Sequence, residues 1–235
     1  MKMPVRHILI MLLVMQVVLP AAASDWVFLG GLEVDGQGSY AYAGGITPIG
    51  ASNLGQGYQA RIWLDRLQYE YKANGEQVTA VAPGAQLAVG FKNQLTNGAW
   101  AVYGGIGQRN TQLSPDQPGA DNRGVRTGVA LLAETYQLWS GGWRSDQAIS
   151  YEFSPGSYWL RIKGGKEAGF ADLRHSLALV VNDGPEYHSI KVGYTLEGLH
   201  LSKGLNMNAG IGIGKSRDRD AAAYIVMELV YVVVK

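Results

Sequence analysis

Along most of this chain apolar and polar side chains alternate one by one, and that alternation predicts strands, not helices. In Tyr158-Trp159-Leu160-Arg161-Ile162-Lys163, Tyr158, Leu160 and Ile162 fall on one face. Trp159, Arg161 and Lys163 fall on the other, because successive side chains of a strand point to opposite sides. Such segments are expected at about 26–34, 39–48, 58–71, 78–92, 99–109, 124–138, 143–153, 158–165, 171–181, 188–197, 205–214 and 222–234. Between them stand Asp35-Gly36-Gln37-Gly38, Asn74-Gly75, Asn97-Gly98, Ser140-Gly141-Gly142, Ser154-Pro155-Gly156 and Asn182-Asp183-Gly184-Pro185. Each suits a hairpin, so neighbouring strands should be antiparallel. The fold class expected is all-β: an antiparallel up-and-down barrel of about 12 strands.

The charges keep to one face of these segments: Arg61 and Asp65 on the third, Glu134 on the sixth, Arg144, Asp146 and Glu152 on the seventh, Arg161 and Lys163 on the eighth, Lys191 on the tenth and Glu228 on the twelfth. Ile62, Leu64, Val129, Leu131, Ile190, Val192, Tyr194, Ile225, Met227 and Leu229 share the opposite face. A soluble barrel would turn the apolar face inward; an outer-membrane barrel turns it to lipid and leaves the charges in the lumen. The beginning of the chain bears on the choice. Lys2, Arg6 and His7 precede the thirteen-residue apolar run Ile8 to Pro20, then Ala21-Ala22-Ala23, the pattern of a cleaved secretory signal. Residues 1–23 are expected to be that signal and 24–235 a single barrel domain.

An even strand count puts both barrel termini in the periplasm, so odd-numbered connections face outward. The longest expected connection, Asn110 to Arg123, is the fifth, and long loops are expected on the outer side. The turns at Asn97-Gly98 and Ser140-Gly141-Gly142 then lie on the periplasmic side, beside an aromatic girdle of Trp100, Trp139 and Trp143. Arg66 shares the face of Ile62 and Leu64; a cation at mid-bilayer would cost about 2–4 kcal/mol, which places it near the outer rim.

Formal net charge is +1, without the basic footprint of a nucleic-acid binder. Cysteine is absent, which removes disulfides, thiol nucleophiles and Cys-bound metals. The 32 Gly, 13 Tyr and 6 Trp suit turns, close strand contacts and interfacial belts. The most apolar late stretch, Ala221 to Val234, contains Glu228 and is too short for a membrane helix.

Three histidines follow the signal. His175-Ser176 and His188-Ser189 are adjacent pairs, which a strand splits between its faces. His200 and Ser202 could share a face, the best arrangement for a surface hydrolase, yet they fall at the tenth, periplasmic connection. Asp116, Asp121, Glu134 and Glu152 could be cast as a glycosidase pair, although carboxylates are ordinary lumen residues. Gly210-Ile211-Gly212-Ile213-Gly214 sits within an alternating strand with no helix after it, and is expected to be a thin strand wall. No cofactor and no metal site are expected. The stretch that barrel closure explains least is the fifth connection, whose Arg109, Thr111, Ser114, Asp116, Asp121, Asn122 and Arg123 are candidate glycan contacts. Arg61, Asp65, Glu134, Arg144, Arg161 and Lys163 are candidate luminal polar residues.

At this loop the sequence resembles the BcsS family of cellulose biosynthesis proteins. The resemblance is carried by Tyr40-Ala41-Tyr42-Ala43-Gly44, Arg61 with Trp63, Tyr69 with Tyr71, Thr111-Gln112-Leu113-Ser114-Pro115-Asp116 with Pro118-Gly119 and Arg123-Gly124, and Ser157-Tyr158-Trp159 with Arg161. It covers nearly the whole mature chain, and the Ser-Pro-Asp loop is its specific part. It implies a non-enzymatic accessory protein of cellulose production in the bacterial outer membrane or periplasm. Outer-membrane lipid and cellulose or cellulose synthase components would be its partners, with no nucleic acid among them. The chain finishes Tyr231-Val232-Val233-Val234-Lys235, where outer-membrane barrels commonly finish on an aromatic residue. Two alternatives to the accessory barrel are an outer-membrane lipid or glycan hydrolase and a soluble periplasmic barrel that binds a ligand on an inward apolar face.

Overall fold

Twelve antiparallel strands close on themselves in chain order, with β1 hydrogen-bonded to both β2 and β12. The computed structural model describes residues 25–36, 38–73, 75–154, 156–169, 173–185, 187–217 and 219–234. The expected signal, residues 1–23, lies outside them, as do Gln37, Asn74 and Pro155 of the turn motifs. The strands are β1 (Trp26–Asp35), β2 (Gly38–Pro48), β3 (Gly57–Ala73), β4 (Glu76–Leu95), β5 (Gly98–Ser114) and β6 (Gly124–Trp139), followed by β7 (Trp143–Glu152), β8 (Ser157–Glu167), β9 (Arg174–Gly184), β10 (Tyr187–Ser202), β11 (Leu205–Ser216) and β12 (Ala222–Val233). The closing pair runs from Trp26↔Val233 to Asp35↔Tyr224. Closure removes the sheet edge and pairs the backbone groups of the wall, which a span through lipid requires.

The outward face carries an apolar band. Leu87, Ile106, Ile211 and Ile225 are each more than 60% exposed, and Ile62, Leu87, Ile106 and Val129 stand side by side across β3 to β6. At the end that holds the strand termini near residues 26 and 233, aromatic rings form a girdle. Trp26 stacks on Phe28 at 5.4 Å, Phe28 lies 6.5 Å from Tyr231, and Phe91 meets Tyr58 at 5.4 Å and Trp100 at 6.0 Å. Trp139 and Trp143 flank the turn at the same end and are exposed. Aromatic side chains with one apolar and one wet side favour that level of a bilayer.

The wall is uneven. β3, β4, β5 and β6 have 17, 20, 17 and 16 residues, whereas β1, β2, β7, β8 and β9 have 10 or 11. The surplus rises at the distal end, away from the strand termini. Beyond Leu64 the outward side of β3 reads Arg66, Gln68, Glu70, Lys72, and that of β5 beyond Ile106 reads Gln108, Asn110, Gln112, Ser114. Arg66, paired with Ala41 and Pro83 and exposed, is the first polar step past the apolar band.

Two expectations need correction. The fifth connection is not Asn110 to Arg123: β5 continues to Ser114, and only residues 115–123 link it to β6. Asn110, Gln112 and Ser114 look like loop residues because they are polar, but they point outward above the band, while Thr111 and Leu113 between them are buried. Long connections also do not gather at one end, since residues 49–56 between β2 and β3 form one nearly as long at the terminal end. The asymmetry lies in strand length, and the distal wall consists of strand that has risen past the band.

Candidate functional site: the polar lumen

Enclosed by this wall is a cavity of about 660 Å³. Arg61, Asp65, Glu134, Arg144, Arg161 and Lys163 all line it, with Asp146, Glu152, Lys191 and Glu228. Alternation alone puts them there, because each shares its strand's inward parity. Most of these charges end on one another, whereas Arg61 donates to the neutral Gln86 Oε1 at 2.5 Å. Arg109 Nη1 on β5 donates to Asp65 Oδ2 on β3 at 2.7 Å, and its Nη2 stands 3.6 Å from Glu152 on β7. Lys191 on β10 reaches Glu33 at 2.5 Å and Asp35 at 2.8 Å on β1. Glu197 on β10 takes Lys163 at 2.7 Å and also Arg174. Arg144 pairs with Asp146 along β7.

One belt crosses the lumen. Arg161 on β8 donates to Glu228 Oε1 on β12 at 2.9 Å, and Tyr42 on β2 donates to the same oxygen at 2.9 Å. In a ring of twelve, β2 and β8 are diametrically opposed. The belt continues along the β2–β3 wall. Tyr42 stacks on Trp63 with centroids 4.7 Å apart and planes 15° off parallel, Arg61 lies 4.2 Å from the Trp63 ring, and Tyr40 stands beside Tyr42 at 5.6 Å. On the far wall Arg161 sits 5.2 Å from the Trp159 ring.

Glycine makes room for the stack. Tyr42 faces Gly31 across the β1–β2 ladder and Trp63 faces Gly44 across the β2–β3 ladder. A Cβ at Gly31 would lie 2.5 Å from Tyr42 Cε1, and one at Gly44 would lie 2.2 Å from Trp63 Cε3. The glycines of β11 act alike: a Cβ on Gly212 would meet the Tyr224 ring at 2.5 Å, and one on Gly214 would meet Lys191 at 2.8 Å. The Gly210–Gly214 segment is thus wall thinned for neighbouring side chains.

Toward the distal end, side chains pack into the lumen from the tall wall. Tyr69, Tyr71, Val78, Ala80 and Leu113 form a buried cluster on the tall wall, and Ala120 from the fifth connection packs on it. Tyr187 reaches this cluster from β10, its ring 5.0 Å from Tyr69. Asn122, 4% exposed, donates from Nδ2 to the Tyr69 hydroxyl at 2.9 Å.

The seven candidate loop residues therefore do not make one surface. Arg109 and Thr111 belong to the inner face of β5, and Asn122 is packed under the connection. Ser114 pairs with Thr79 at the top of the wall. Asp116 and Arg123 clasp each other through two bonds of 2.7 and 2.8 Å, while Asp121 is exposed and its carbonyl accepts from Arg126 at 2.7 Å. The hydrogen bond from Arg123 holds the Asp116 carboxyl below its usual range. The carboxylates Asp116, Asp121, Glu134 and Glu152 are likewise divided between connection and lumen.

His175 is exposed and contacts Tyr194, and Ser176 is buried, so the pair is split between faces. His188 pairs with Asp183 at 3.0 Å, and its neighbour Ser189 is fully buried. His200 lies 3.2 Å from Asn206, and a register shift separates it from Ser202. Among the described residues no group of three or more His, Asp or Glu is placed to hold a metal ion.

The sequence pattern overlooked Glu33, Asp35, Arg174 and Glu197, which complete the luminal pairs, and the aromatic stack itself. Parity was the available signal: Gly31, Glu33 and Asp35 share one face of β1, as Tyr40, Tyr42 and Gly44 share one face of β2.

Among solved structures the barrel is similar to KdgM porin, with a TM-score of 0.52 at 9% identity over 87% of this chain and 98% of that one. KdgM porin in complex with disordered oligogalacturonate gives 0.51 at 10% identity, covering 87% and 98%. The β domain of the Bordetella autotransporter BrkA gives 0.51 at 10% identity, covering 89% and 99%. These likenesses show the outer-membrane barrel fold. No curated protein matches the chain. The model of the family described as cellulose biosynthesis protein BcsS matches residues 27–233, the barrel almost from end to end, and the chain belongs to that family.

Proposed function

We propose that this barrel stands in the bacterial outer membrane and assists cellulose production or export without catalysing a reaction. The observation that carries the proposal is the division of its surfaces: an exposed apolar band with an aromatic girdle outside, and a polar cavity whose charges are largely paired inside. A wall of that kind fits lipid. A cavity of that kind fits a polar, uncharged material such as a glucan. Family membership supplies the association with cellulose. The non-catalytic reading draws support from the histidines, which are bonded to Tyr194, Asp183 and Asn206 and not to a serine hydroxyl. The fifth connection, placed outside the cell, and the luminal side chains are the proposed glycan contacts, with outer-membrane lipid and cellulose or synthase components as partners.

Deletion of the gene in a cellulose-producing host, followed by complementation, tests the role. Loss or altered architecture of extracellular cellulose, restored by the full chain, is expected. Unchanged cellulose, or recovery of the mature protein in the soluble periplasmic fraction, would reject it.

A further inference from the structure

We propose that the lumen holds a binding subsite for a short uncharged oligosaccharide, with the Trp63–Tyr42 stack as its platform and the neighbouring amides as its hydroxyl partners. The inference rests on the reading of the barrel as a glycan-handling protein and names the chemistry of the ligand.

Three observations converge. The first is size: a cavity of about 660 Å³ falls within the range of about 300–1,000 Å³ typical of small-molecule sites. A few linked pyranoses suit that space better than a long extended polymer. The second is the platform. Tyr40, Tyr42, Trp63 and Trp159 line the cavity while remaining partly accessible. Gly31 and Gly44 seat the first wall's rings so closely that no other residue could stand in their place without displacing them. With Arg61 against one side of Trp63 and Tyr42 against the other, the column offers the lumen the edges of its rings as an apolar wall of defined orientation, against which the C–H groups of a pyranose can lie. Simple filling of a barrel would be served by aliphatic side chains.

The third is electrostatic. A site for an anionic sugar must leave cations uncompensated to meet it. Here Arg109, Arg161, Lys163, Arg174 and Lys191 are each bonded to a carboxylate on the lumen wall. Arg61, against Trp63, bonds Gln86 Oε1 at 2.5 Å. Five of these six cations would have to leave a carboxylate before meeting an anionic ligand, and only Arg61 is held by a neutral amide. The hydroxyls of a neutral sugar, donors and acceptors both, can instead add to Gln86, Asn182, Asn206 and Asn208, which line the same space.

The test uses the full mature chain in detergent, with titration calorimetry against cellotetraose and, separately, against tetragalacturonate. Trp63→Leu removes the ring but keeps apolar volume, and Trp63→Phe keeps a ring. Heat-modifiable migration reports that each variant remains a closed barrel. Expected are measurable binding of cellotetraose, weaker or no binding of tetragalacturonate, at least a tenfold loss in Trp63→Leu and most of the affinity kept in Trp63→Phe. Absence of cellotetraose binding, tighter binding of tetragalacturonate, or equal affinity in Trp63→Leu would overturn the subsite. If Trp63→Leu does not close, Trp63→Phe against Tyr42→Leu carries the same comparison. The cellular role has its own readout, so normal cellulose loss on deletion with no luminal binding would reject the subsite alone.

Discussion

Arg161 and Tyr42, from opposite walls of the barrel, donate to a single oxygen of Glu228 at 2.9 Å each. That carboxylate has Asn208 at 3.5 Å on its other oxygen and is the joint through which β8, β12 and β2 are held across the lumen. A ladder links each strand only to its neighbours; this joint links strands that the ladder cannot.

Glu228→Gln keeps the shape of the joint but removes the charge that Arg161 answers. Leaving a half-buried guanidinium short of its partner should cost about 1–3 kcal/mol. Urea unfolding from lipid vesicles should show the loss, and Arg161→Met with Glu228→Gln should recover part of it. Equal stability of all three proteins would mean that the belt is incidental.

Gly44→Ala places a methyl 2.2 Å from Trp63 Cε3, and the ring must move. An overpacked site of this kind costs about 1–3 kcal/mol. Combined with Trp63→Ala the penalty should largely vanish, because the obstacle is gone; additive effects in the double-mutant cycle would contradict the contact.

Leu87→Arg and Ile225→Arg put a cation in the middle of the apolar band and should each destabilise the barrel in lipid by about 2–4 kcal/mol. Gln112→Arg, above the band on the same outward side, should change stability little. A similar penalty at all three positions would move the boundary of the membrane.

The clasp between Asp116 and Arg123 depends on an ionised carboxylate. Its pKa is lowered in the folded protein, chiefly by the hydrogen bond from Arg123, so the clasp contributes above the ordinary carboxylate range and is lost as pH falls through the folded value. Hydrogen exchange across residues 115–123 should therefore quicken on acidification and be fast at neutral pH in Asp116→Asn. Exchange in the native chain that ignores pH, after correction for intrinsic rates, would contradict this.

Much of the architecture is readable in the sequence because strand alternation is strict: Arg61, Asp65 and Lys163 are separated from Ile62, Leu64 and Ile162 by one residue, which is one face. Strand length is less readable. Asn110, Gln112 and Ser114 are chemically loop-like, and only the burial of Thr111 and Leu113 between them shows a strand standing in water. The pairing across the lumen is least readable, since nothing local to Lys191 points to Glu33 and Asp35 about 156 residues away. Closure of the barrel brings them together. The glycines opposite Tyr42 and Trp63 become meaningful only once register is known.

The central claim is a barrel with its apolar face in the outer membrane and its fifth connection outside. The chain has no cysteine, so single cysteines can report each surface on intact cells with a membrane-impermeant maleimide. Asp121→Cys should label on whole cells, Ser140→Cys only after the outer membrane is opened, and Leu87→Cys in neither case. Free labelling of Leu87→Cys, or of Ser140→Cys with Asp121→Cys protected, would contradict it.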